Sequence, residues 1–348
     1  LDRLVGSRSD AMTVGTFHSF CAKLLRWDGQ VLGLESNYSI YDADDQLKIL
    51  KESMELADVD PKRFAPRAVL GTISKAKNAL WDAPTFTKNS DPDNYFEERA
   101  ARVYHHYEEA LTRNNALDFD DLLMKSVQLL REFPEVRKKY QDRYQYIMVD
   151  EFQDTNTAQY QLAKFLSESH KNICVVGDPD QSIYSWRSAD IRNILSFQKD
   201  YAQSKTVTLD QNYRSTSTIL DAAKNLISIN GQRIQKDLFT DNSKGDLVQV
   251  REAYDEGEEA AFVVSESARL VREDGFKPGD CAIMYRVNAQ SRALEEACLH
   301  RGTKYRLVGG VRFYKRREVK DLMAYLHMVH NPNDDINLGR VINVPPRG

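Results

Sequence analysis

Apolar positions change their period several times along this chain, and each change marks an element. After a short strand-like stretch near residues 12 to 16, Thr16 stands as a cap before Phe17, Phe20, Cys21, Leu24 and Leu25, which fall at helical spacing. From 42 to 137 the pattern is mainly helical, with segments predicted near 44–57, 66–80, 93–113 and 118–131. Asp118, with Asp121 three residues on, reads as a helix start ahead of the apolar stripe Leu122, Leu123, Val127 and Leu130. Pro84, Asn89-Ser90 and Asp91-Pro92 predict a loop between helices. Strand–helix alternation resumes near 145, with strands predicted at 145–149, 172–176 and 205–209 around helices at 157–167 and 189–198. A second alternating set follows: strands near 247–252, 281–285 and 305–308, and helices near 256–273, from Ala289 to before Gly302, and at 317–330. Such alternation predicts an α/β protein with mainly parallel, helix-covered sheets, one of whose domains is interrupted by a helical insertion.

Composition narrows the class. A chain of 348 residues with 41% hydrophobic positions can bury more than one core. Its formal net charge of -4 offers no global attraction to nucleic acid, so local basic patches must supply any. Arg312, Lys315, Arg316 and Arg317 form one such patch, and Lys62, Arg63, Arg67, Lys75 and Lys77 another; either also reads as a solvated face. Cys21, Cys174, Cys281 and Cys298 lack paired ligand spacing and mostly adjoin apolar runs, which predicts core thiols in a reducing cytosol. Neither a signal peptide nor a membrane-length apolar run is present, so a cytoplasmic location is expected.

Chemistry concentrates where two predicted strands end. Ile147-Met148-Val149 runs into Asp150-Glu151-Phe152-Gln153-Asp154, and Thr155-Asn156 then offers turn and cap residues before a helix. Ligands of parallel α/β sheets gather at the carboxyl ends of strands, which places Asp150 and Glu151 at a crevice. One carboxylate for a metal and its neighbour for activating water suits nucleotide hydrolysis; a solvated acidic turn is the plainer reading. The second run, Asn172 to Val176, ends in Gly177-Asp178-Pro179-Asp180-Gln181, followed by Ser182 to Arg187. Gln181 can both donate and accept, and Tyr184, Trp186 and Arg187 offer two rings and a planar cation suited to unpaired bases. Packing in a core or interface is the alternative for those rings.

These segments, with Gln211-Asn212-Tyr213-Arg214-Ser215-Thr216 and Tyr285 to Arg292, resemble in order the superfamily 1A helicases, the bacterial UvrD/PcrA/Rep group. The resemblance extends over essentially the whole chain and implies an α/β fold: a RecA-like P-loop NTPase helicase core with mainly parallel sheets and a helical insertion. It divides the chain into a first part of motor domain 1A (1–38), helical insertion 1B (39–137), the remainder of 1A (138–205), a first part of motor domain 2A (206–313) and the start of helical domain 2B (314–348). The implied cofactors are ATP and Mg2+. Asp150 would bind the metal, Glu151 would polarise the attacking water, and Gln153 and Asp154 would support them. Gln181 would link the terminal phosphate to the DNA-facing loop, Arg214 would approach the γ-phosphate, and Tyr213 would lie against adenine. For Tyr213-Arg214, an inward aromatic beside a surface arginine is the plainer reading. Thr16, His18, Phe119, Tyr184, Trp186, Arg187, Arg286 and Asn288 would contact DNA, with Phe119 also readable as core. His18 has no nearby His or Cys that would complete a zinc site. Phe152 and Ser185 depart from the Tyr and Arg common in close relatives, and Ser185 removes one local positive charge.

The resemblance thus implies an ATP-dependent 3′-5′ DNA helicase and single-stranded DNA translocase of the bacterial cytoplasm and nucleoid. Its implied partners are single-stranded DNA, single-strand/duplex junctions and proteins of DNA repair or replication, with no membrane. No G-x-x-x-x-G-K-[ST] pattern occurs, so the chain reads as a catalytically incomplete, monomeric fragment of a longer enzyme. The alternative is a non-enzymatic DNA-binding or protein-docking module on a motor-like scaffold. The complete reading frame discriminates between them, and would also reveal any nuclease domain coupled to the motor.

Overall fold

The computed structural model describes residues 6, 12–184, 189–231, 236–308 and 317–347. The chain divides into two units, one of residues 1–207, 232–234 and 317–348, the other of 208–231 and 235–316.

In the first unit, helix α1 (Phe17–Asp28) starts at Thr16, whose hydroxyl accepts from the Ser19 N–H. Strand β1 (Ser39–Ile40) leads into α2 (Ala43–Leu56), α3 (Pro66–Asn78), α4 (Ala83–Asn89) and α5 (Tyr95–Arg113). Helix α4 lies where the sequence predicts a loop. Pro84 sits in its first turn, where a missing N–H costs nothing, and Asp82 caps it through the Thr85 N–H. Strand β2 (Ala116–Leu117) pairs in parallel with β1. Helix α6 (Phe119–Glu132) begins with a complete capping box between Asp118 and Asp121, and α7 (Pro134–Arg143) follows at once. The insertion is filled by Ile49, Leu50, Met54, Val69, Ile73, Tyr104 and Tyr107, each essentially excluded from solvent. Side chains of this size contribute about 1.5–3 kcal/mol each on burial.

Strand β3 (Ile147–Val149) pairs in parallel with β4 (Ile173–Val175), with Met148 opposite Cys174. Helix α8 (Thr157–Ser167) connects them, and α9 (Arg192–Asp200) follows. Phe152, Tyr160 and Phe197 meet edge to face beneath the ends of the strands. The face bearing Met148 and Cys174 is open: Met148 is 74% exposed and Cys174 is exposed. Strand alternation therefore puts Cys174 opposite the buried side, and the expectation of a core thiol fails there. Cys21 and Cys298 are buried, as expected.

Helices α13 (Arg317–His330) and α14 (Asp335–Val341) also belong to the first unit. Between them, Asp334 accepts hydrogen bonds from Ser39 Oγ (2.6 Å) and Tyr41 OH (2.9 Å). Asn331 donates to Ser39 Oγ and to the Asn114 carbonyl, and Ile336 enters the core of the insertion.

The second unit contains α10 (Ser217–Ile227), α11 (Glu256–Glu273) and α12 (Ser291–Arg301), of which the last two pack together. Asp255 caps α11, and Glu256, Glu258 and Glu259 occupy its first turn, where negative charge complements the helix dipole. The strands predicted at 247–252, 281–285 and 305–308 form no ladder among the described residues, and neither do 12–16 or 205–209. Parallel strands need covered faces, whereas Val250 is 95% and Met284 93% exposed.

Candidate functional site

The acidic turn takes its shape from one unusual backbone conformation. Glu151 has φ 50° and ψ 42°, in the left-handed region that costs a side-chain-bearing residue about 1–3 kcal/mol. The reversal exposes Asp150 and Glu151 at the end of β3 while driving Phe152 fully inside. Asp150 accepts from the Glu151 N–H, and the Phe152 N–H bonds to the carbonyl of Val176, just past the end of β4.

A continuous hydrogen-bonded run leads from this turn to the next loop. Buried Gln153 donates to Glu151 Oε2 at 2.8 Å and accepts from the Asp178 N–H at 3.0 Å. The Asp178 carboxylate in turn accepts from Gln181 Nε2 at 2.8 Å. Glu151, Gln153 and Gln181, named separately from sequence, are thus joined, and Asp178 is the connector that sequence reasoning passed over. Its signal was present, because an Asp directly after the close-approach Gly177 can turn its carboxylate back onto the loop. A Cβ at Gly177 would lie 2.6 Å from Gln153 Oε1 and 3.1 Å from the Phe152 nitrogen.

Asp154 lies half-buried beside Glu151. Burial, and then the neighbouring Glu151 charge, raises its carboxyl above the usual range, and its Oδ1 is enclosed without a hydrogen-bond partner. Hard carboxylate oxygens of this kind fit Mg2+, which uses one or two carboxylates together with phosphate oxygens and water. Among the described residues, no group of three or more His, Cys, Asp or Glu is gathered as a ready-made cage.

Thr155 ties the turn to the chain after the second loop, its carbonyl accepting from the Asp190 N–H and Asn193 Nδ2. Tyr184 is 37% exposed at the start of that connection. Trp186 and Arg187 lie outside the described residues, as do Ser185, Arg312, Lys315 and Arg316.

His18 and Phe119 come together elsewhere in this unit, and Thr16 caps the helix that carries His18. Thr16 is exposed, and His18 meets Phe119 edge to face at 5.8 Å between ring centroids. Phe119 is 47% exposed, which removes its reading as a core residue. Burial holds the His18 pKa below 6.5, and the Asp120 carboxylate partly counters that shift. Lys77 departs from the basic patch in which its sequence placed it. It is fully buried, with Nζ 2.6 Å from Glu108, 2.9 Å from Asp118 and 2.8 Å from Asp121. Three carboxylates compensate its desolvation, so the side chain turns inward.

In the second unit Tyr213 is 78% exposed, which excludes its inward-packed reading, and its hydroxyl donates to Gln211. The Asn212 side chain accepts from the Arg214 and Ser215 N–H groups and fixes the turn that presents an exposed Arg214. Arg286 and Asn288 are exposed beside a short turn anchored by Gln290, which accepts from the Arg286 N–H.

Parallel strands that end in an acidic turn and a glutamine-bearing loop, interrupted by a helical insertion, define an α/β core of the RecA-like class. The UvrD/REP helicase N-terminal domain matches residues 1–202, and the UvrD-like helicase C-terminal domain matches 207–348. The chain belongs to the UvrD/Rep helicase family. It is 48% identical over its full length to the ATP-dependent DNA helicase PcrA of Staphylococcus aureus and 47% identical to that of Staphylococcus epidermidis. In each case it covers 47% of the relative, so the chain spans about half the length of the curated relatives it matches. No helix among the described residues is long and apolar enough to cross a membrane.

Proposed function

We propose that this chain supplies the water-activating and DNA-tracking parts of an ATP-dependent 3′-5′ DNA helicase and single-stranded DNA translocase. The observation that carries this reading is the run Glu151–Gln153–Asp178–Gln181, which ties a carboxylate able to orient water to a loop leading toward base-stacking residues. Glu151 polarises the attacking water, and Gln153 holds that carboxylate in place. Asp150 and Asp154 are the residues that would hold Mg2+, which when bound neutralises charge on phosphate oxygens. Tyr213 offers its exposed ring to adenine, and Arg214 its guanidinium to the γ-phosphate in paired geometry. Thr16, His18, Phe119, Tyr184, Trp186 and Arg187 supply DNA contacts from the first unit, and Arg286 and Asn288 supply contacts from the second. Stacking accepts any base, so little sequence preference is expected, and single-strand/duplex junctions are natural substrates. The setting is DNA repair or replication in the bacterial cytoplasm and nucleoid.

Without a G-x-x-x-x-G-K-[ST] pattern, the isolated chain should show no appreciable DNA-stimulated phosphate release in a malachite-green assay. Turnover abolished by Glu151→Gln would overturn that expectation. Oligothymidine binding at low salt, read by fluorescence anisotropy, tests the track. Trp186→Ala and Phe119→Ala should each weaken binding by about 1–3 kcal/mol, the worth of one stacked base. Wild-type affinity in both folded variants would defeat the stacking assignment.

A further inference from the structure

Asn78, at the end of α3, touches neither proposed ligand but is bonded to residues beside both. Its Nδ2 donates to Asp120 Oδ1 at 2.8 Å and to the Ser74 carbonyl at 2.8 Å. Its Oδ1 accepts from Asn156 Nδ2. Both N–H groups and the carbonyl are therefore engaged, which fixes the orientation of the amide. Asn78 is 8% and Asn156 6% exposed, so water competes little for these bonds.

Each partner stands next to a proposed site. Asp120 directly follows Phe119, the ring that meets His18. Lys77, the residue before Asn78, fixes the same helix start through Asp118 and Asp121. Asn156 closes the acidic turn on the other side. Its side chain accepts from the Gln159 N–H and caps α8, while the adjoining Thr155 carbonyl holds Asp190 and Asn193. A hydrogen-bonded path from the start of α6 to the hydrolytic turn therefore runs through the Asn78 amide, alongside the apolar packing of α6 on α8.

We infer that Asn78 is a positioning residue that couples the Phe119–His18 base-contact pair to the acidic turn. A base that shifts the start of α6 pulls on Asp120, and the Asn78 amide passes the displacement to the cap of α8. This coupling rests on the DNA-track reading above, and it gives that site a regulatory connection distinct from the Gln153–Asp178–Gln181 run.

Hydrogen exchange read by mass spectrometry on the 348-residue chain, with and without oligothymidine, tests it. In the wild type, DNA should slow exchange at 118–121 and also at 156–160. Asn78→Ala should keep the first response and lose the second. Asn156→Asp provides a variant that should fold, because its carboxylate still accepts from the Gln159 N–H while the donor to Asn78 is gone. It should show the same split response, which a merely destabilised protein would not. Slowing at 156–160 that survives in either folded variant overturns the coupling alone. A wild type with no DNA response at 118–121 overturns the Phe119 contact, and the coupling with it.

Discussion

A methyl group is what Gly177 has no room for. An added Cβ would press on Gln153 Oε1 and on the Phe152 backbone, neither of which can yield without disturbing the acidic turn. Gly177→Ala is expected to cost about 1–3 kcal/mol in urea denaturation, typical of overpacking. His18 offers a pH test at the same scale. Its neutral form is favoured by burial, so it should titrate below 6.5 by NMR. The stability it confers is complete above pH 6.5 and declines as pH falls from that value through the lower native pKa. Asp120→Asn should lower the midpoint further, because the carboxylate that favours the charged ring is removed. At this scale much was legible in sequence. Asp150, Glu151 and Gln181 stand out because polar residues abruptly end apolar runs. Asp178 carries a local signal in its place directly after Gly177, whereas Asn78 carries none, because its partner Asp120 lies 42 positions away.

Elements were legible where local chemistry sets them. The Asp118 and Asp121 carboxylates announce the start of α6, and Asn156 announces that of α8. The burial of Lys77 was hidden, since a lysine among lysines looks solvated until three distant carboxylates surround it. Two of those carboxylates respond oppositely. Asp121 is held below the usual range by Lys77 despite its burial, while burial and its neighbour Asp121 push Asp118 up to about 7. Lys77→Met leaves these acids buried without their cation and should destabilise the unit by about 3–5 kcal/mol in chemical denaturation. A loss within experimental error would show that the network is not structural. The strands predicted in the second unit illustrate the opposite failure. Their apolar pattern is real, but a ladder depends on neighbours and cover that a local pattern does not specify.

At the scale of the whole molecule, the first unit is assembled from pieces far apart in the chain. Asp334→Ala would leave the Ser39 and Tyr41 hydroxyls without their acceptor, at roughly 1–3 kcal/mol for each group left unsatisfied. The loss should appear as a lowered urea midpoint for the insertion core, followed by exchange at Ile49, Leu50 and Met54. An unshifted midpoint would assign the joint no stabilising role. Tyr41 and Asp334 are separated by 293 positions. A ribosome adding about 5–20 residues per second reaches Asp334 roughly 15 to 60 seconds after Tyr41. Throughout that interval the insertion lacks both the carboxylate that receives its buried hydroxyls and the isoleucine that closes its core. The newborn protein therefore carries an unfinished surface throughout that interval, a window in which chaperones and proteases meet a molecule that its finished form no longer displays.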